Sequence, residues 1–173
     1  MAALTAVQRL LVQGAKSLAE YVPVLVGGLS NAFQVPALNA AGQLDVTMMP
    51  TGVGPDTEQM VASEALSAGA LVNVYANGGA PTARNADGST TGKQADGFVL
   101  AAVAAGGQAT VYLSGLNTAV QGLTPGLAFL SDTAVGGIAA AGATAAGRTY
   151  QQVGVVTQAG HLQFAPQVPV TRA

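Results

Sequence analysis

The chain has 173 residues, 50% hydrophobic and 8% charged, with six Lys or Arg against eight Asp or Glu and a net charge of -2. Soluble domains carry about 25% charged residues, so a surface this poor in charge is the composition of a protein covered by other copies or by a larger assembly. The lack of a Lys/Arg cluster argues against nucleic acid and anionic membrane as partners, and a chain with no cysteine has neither disulfides nor thiolate metal sites.

The first residues, Met1 to Gln13, lack the ordered basic leader, long apolar stretch and cleavage site of a signal peptide. The most apolar windows, 22–29 and 98–105, fall far short of the roughly 20 residues that span a bilayer. No membrane partner is expected.

Glycine and proline, 23 and 8 in number, interrupt the chain too often for helices of average length, so strands are favoured. The expected fold is all-β, a compact barrel or sandwich body preceded by a small extended β-hairpin arm. In the arm, Arg9 to Gln13 and Lys16 to Val26 pair about Gly14, and Val35 to Leu38 and Gln43 to Thr47 flank a turn at Gly42. Residues 1–50 have too few large side chains for a core and read as a docking module, 51–55 as a Pro/Gly linker, and 56–173 as the body.

Body strands are expected at Gln59 to Glu64, Leu71 to Tyr75, Pro81 to Arg84, Gly97 to Val103, Gln108 to Ser114, Leu127 to Leu130, Tyr150 to Val156 and His161 to Phe164. Asn77-Gly78 is the turn of a hairpin between the second and third of these. In the strand from Gln108, Ala109, Val111 and Leu113 share one face and Thr110, Tyr112 and Ser114 the other. Val111, Leu113, Phe98, Leu100, Leu162 and Phe164 are expected to face inward together. The Ala/Gly/Thr-rich stretch from Ala134 to Gly147 reads as a loop with an exposed, mobile tip.

Chemistry-bearing residues are sparse. His161, the only histidine, alternates with Leu162 and Phe164 and so belongs on the outer face. No nucleophile elbow, phosphate-binding loop or dinucleotide fingerprint occurs. Asn85-Ala-Asp87-Gly88-Ser89 starts like a calcium loop but lacks the later carboxylate, so it reads as an Asp-Gly turn. Asp56, Glu58 and Glu64 read as solvated rim charges, and Arg9, Arg84, Arg148 and Arg172 as ion-pair partners at an interface. No catalytic, cofactor-binding or metal-ligating residue is assigned, no cofactor is expected, and the chain reads as a non-enzyme.

The stretch Leu38-Asn-Ala-Ala-Gly-Gln-Leu-Asp-Val-Thr-Met-Met-Pro-Thr-Gly-Val-Gly-Pro-Asp56 resembles the arm-to-body junction of the capsid decoration, cement or head-fibre proteins of tailed bacteriophages. Blocks in the same order follow at Gly97-Phe-Val-Leu-Ala-Ala-Val103, Val111-Tyr-Leu-Ser-Gly-Leu-Asn-Thr118, Gly122-Leu-Thr-Pro-Gly126, Gln152-Val-Gly-Val155 and Phe164-Ala-Pro166. The resemblance implies a β-rich virion protein on the outer surface of the capsid. It would be made in the host cytoplasm, act as a homotrimer, and bridge and stabilise subunits of the major capsid protein without catalytic residues. The alternative is a tail-fibre or receptor-binding module, for which Tyr75, Tyr112 and Tyr150 are the candidate glycan-contacting side chains.

Overall fold

In a computed structural model of the chain, the described residues are 10–13, 18–21, 24, 25, 27, 35–40, 42–45, 48, 49 and 56–173. The chain divides into two units, Met1–Gly54 and Pro55–Ala173. The expected linker, 51–55, lies outside the described residues, as does Arg9.

In the first unit, β1 (Leu10–Gln13) and β2 (Leu18–Tyr21) pair antiparallel, with Leu10 opposite Tyr21 and Gln13 opposite Leu18. Further on, Asn39 closes a turn. Its N–H donates to the Gln43 carbonyl at 2.8 Å, its carbonyl accepts from the Gly42 N–H at 2.9 Å, and Gly42 takes φ 73°. Val24 forms a parallel bridge with Pro36.

The second unit is all-β and has two layers. β3 (Thr57–Ala62), β4 (Leu71–Asn77), β5 (Ala80–Asn85), β6 (Gly97–Phe98) and β7 (Gln108–Tyr112) close a five-stranded barrel in the order β3-β5-β4-β6-β7. The β3–β5 seam is parallel, with Val61 opposite Thr82, and every other pairing is antiparallel. The barrel interior takes Met60, Ala62, Val72, Ala83, Val99, Ala109 and Val111. Alanine and valine fill most of these positions because a barrel of so few strands has room only for small side chains at several inward positions.

β8 (Gly115–Asn117), β9 (Gly126–Leu130) and β10 (Ile138–Ala139) belong to a second sheet. β11 (Thr149–Tyr150) leads into β12 (Gln152–Gln158) and β13 (His161–Phe164), and β14 (Val170–Thr171) returns to pair with β11. The second sheet is antiparallel in the order β10-β9-β12-β13-β8. Between it and the barrel lies a second core of Leu71, Phe98, Ala128, Leu130, Val153, Val156, Leu162 and Phe164.

Two cores explain where the expected strands and inward faces need correction. Val111 points into the barrel with Leu113 packed beside that cluster, whereas Phe98, Leu162 and Phe164 occupy the interlayer core, with Leu100 packed against it. They do not face one interior together. Tyr112, expected on the outer face of its strand, stacks on Phe98 with ring centroids 5.2 Å apart. A barrel strand under a second sheet is buried on both faces, and polar-apolar alternation gives no sign of that.

The strand expected over Gly97 to Val103 ends at Phe98, after which the Val99 N–H donates to the Ala70 carbonyl and Val103 makes only an isolated bridge with Leu66. The β4–β5 turn falls on Gly78 and Gly79, φ 60° and 87°, with Asn77 still in the ladder opposite Ala80. The Ala134–Gly147 stretch is not a free tip. The Gly136 N–H donates to the Ala86 carbonyl at 2.7 Å, the Gly136 carbonyl accepts from the Leu71 N–H at 2.9 Å, and residues 138–139 form β10. Small residues let this loop lie close against β4 and β5, so its lack of bulky anchors does not free it.

Candidate assembly surface

Most ionisable side chains serve the fold. The Glu64 carboxylate, expected at a solvated rim, accepts from the Asn85 backbone N–H at 2.7 Å and from its Nδ2 at 3.0 Å, fastening the end of β5. Arg84 donates Nε–H to the Oδ1 of buried Asn73 at 2.9 Å and lies 4.3 Å over the Tyr75 ring, while Asn73 donates to Asp96 at 2.7 Å. Arg148 pairs with Asp132 at 3.6 Å, and Arg172 lies 4.8 Å over the Tyr150 ring and donates to the Ala143 carbonyl. Each of the three described arginines thus makes contacts within its own chain.

Asp87 does close an Asp-Gly turn, its Oδ1 accepting from the Ser89 N–H at 2.8 Å. His161 is half-exposed and its Nδ1 meets the Gln158 amide. The three tyrosines named as glycan candidates are engaged separately: Tyr75 under Arg84, Tyr112 on Phe98, and Tyr150 between Arg172 and Phe129, whose ring centroid is 5.3 Å away. A cleft of about 250 Å³ at the loops carrying Ser67, Asn85, Ala119, Leu123 and Val135 is lined only by uncharged residues.

The outer face of the second sheet is different. Leu116 on β8 stands opposite Gln163 on β13, Gln163 opposite Val155 on β12, and Val155 opposite Leu127 on β9. Directly opposed residues share a face, so these four form one row straight across four strands. Leu116, Val155 and Leu127 are 44%, 41% and 54% exposed, and Gln163 is exposed as well. None of the five strands in this sheet contains Asp, Glu, Lys or Arg.

A β-bulge sets the row's phase. Val153 and Val156 are both buried while Val155 is exposed, which strict alternation forbids. The register shift between Gln152 and Gly154 supplies the extra residue that turns Val155 outward. Gly154, at φ 150°, sits where a Cβ would strike the Gln163 carbonyl oxygen, so only glycine fits that crossing.

In the sequence Leu127 and Val155 read as ordinary strand residues, and Leu116 only as part of the block from Val111 to Thr118. The signal that could have found the row is the distribution of charge: residues 97–131 and 149–171 contain no Asp, Glu, Lys or Arg at all. Comparison with protein-family models, curated proteins and solved structures found no match to this chain.

Proposed function

We propose that this protein is a structural component of a bacteriophage virion. In this reading it decorates and stabilises the outer surface of the capsid as a homotrimer that bridges major capsid protein subunits. The observation that carries the reading is the exposed apolar row on a charge-free sheet. Antiparallel sheets that face water normally alternate apolar-in and polar-out, and an outer face bearing Leu116, Val155 and Leu127 is stabilised when another surface covers it.

The ionisable groups support an assembly role over a catalytic one, since the described arginines and Glu64 are spent on tying loops and strands together. Residues 1–50 act as the docking arm, and many weak contacts repeated over a lattice give a strong attachment through high effective concentration.

Cryo-electron microscopy of particles assembled with and without the chain tests this. Added density on the outer shell, lost from particles whose copies lack residues 1–50, is the expected result. Density on the tail, or none on the particle, overturns the reading.

A further inference from the structure

Resting on the assembly reading above, we infer that the row Leu127–Val155–Gln163–Leu116 is where three copies of this chain meet, packed about a threefold axis that runs along the row. The covering surface must bring no unpaired charge, because a charge desolvated against Leu and Val without a counter-charge is costly. Proteins of ordinary composition carry about 25% charged residues, and the second sheet has no formal charge with which to answer one. Another copy of the same sheet meets the condition without adjustment.

The one polar member of the row points the same way. An exposed amide such as Gln163 carries both donor and acceptor. Three copies around an axis close a ring in which each Nε2–H donates to the next Oε1, so the polar groups are satisfied among themselves. Leu127, Val155 and Leu116 of three copies then stack as apolar layers above and below that ring, about 4.8 Å apart, the spacing of neighbouring strands.

The width of the row favours an axis over a plane. Along β12 the next outward residue is Thr157, and along β13 the neighbour is half-exposed His161. In the other direction along β9, Phe129 is already covered by the Tyr150 ring. The apolar strip is thus one residue deep and four strands wide, and on a threefold axis each strip contacts two others at once.

Sedimentation of the full chain, of Gln163→Glu and of Thr91→Glu tests the inference. The full chain is expected at three times the monomer mass. Gln163→Glu, a nearly isosteric change at an exposed site, places three like charges on the axis and should drop the mass threefold at pH 7. Thr91→Glu, exposed and off the sheet, should remain trimeric. Because the chain has no cysteine, Gln163→Cys with a short bismaleimide gives an independent readout, covalent pairs of copies. A monomeric full chain overturns the assembly reading and this inference together. A dimer in place of the trimer does the same, since the reading above is of a homotrimer, whereas a trimer indifferent to Gln163→Glu and not cross-linked through Gln163→Cys overturns the inference alone.

Discussion

Phe98 on β6 and Phe164 on β13 meet edge to face, ring centroids 5.4 Å apart and planes at 66°, joining the barrel wall to the second sheet. Both rings are almost fully buried, and Tyr112 stacks on the other side of Phe98. Truncating Phe164 to Ala removes one wall of that contact and leaves a cavity in the interlayer core, so it should cost about 3–5 kcal/mol. His161→Ala, three residues earlier and half-exposed, should change stability by less than about 0.5 kcal/mol. Urea titrations of the two variants check this; equal midpoints would contradict the assigned faces of β13.

The all-β fold was legible because glycine spacing and short apolar runs limit the elements, and the strand from His161 to Phe164 has the bounds that its alternation implies. What alternation could not reveal was layering. Leu71, Val72 and Asn73 are all buried in succession because β4 is covered by the barrel interior on one side and by the second sheet on the other. The row was illegible for a related reason: a leucine reads the same whether it faces a core or another copy. Its position on a bulged, charge-free sheet became visible only with the register.

Gln151 holds the two layers together in a way that no motif signals. Between β11 and β12 it turns inward, its Oε1 accepting from the Ala95 N–H at 2.8 Å and its Nε2 donating to the Ala95 and Gln167 carbonyls at 3.0 and 3.1 Å. Gln151→Leu fills a similar volume but strands the buried N–H and C=O of Ala95. Each stranded group costs about 1–3 kcal/mol, so the variant should lose about 2–5 kcal/mol. Gln151→Glu keeps the acceptor but, when ionised, sets a buried charge against the Ala95 and Gln167 carbonyls, so it should be strongly destabilised at pH 7 and partly recover in acid, where the protonated group regains one donor; denaturant midpoints at the two pH values check this.

Asp87 gives the fold a defined acid sensitivity. Burial acts to raise its carboxyl pKa, but hydrogen bonds from Ser89, the positive charge of Lys93 and a hydrogen bond from Thr90 outweigh it and hold the group below its ordinary 3.8. A carboxyl depressed in the folded state contributes stability above the unfolded value, and that contribution is lost as pH falls through the folded one. Asp87→Asn should therefore be less stable than the parent at pH 7, with the difference shrinking as the pH falls below about 4. Paired denaturant titrations at pH 7 and pH 3 check the sign; a gap that widens in acid contradicts it.

Gly154 links the bulge to the proposed assembly surface, so a single substitution there tests both. Its φ of 150° and the closeness of the Gln163 carbonyl leave no room for a Cβ. Gly154→Ala must therefore strain the backbone by about 1–3 kcal/mol or abandon the bulge. Loss of the bulge shifts β12 by one residue, and because a strand's faces alternate, that shift turns Val155 inward and Val156 outward. The row would then be interrupted at its second position, and oligomer stability should fall further than the thermal melt of the body alone implies. Sedimentation and thermal unfolding of Gly154→Ala at matched concentration compare the two losses. A variant that melts several degrees lower but assembles like the parent would show that the phase of β12 does not govern how the copies meet.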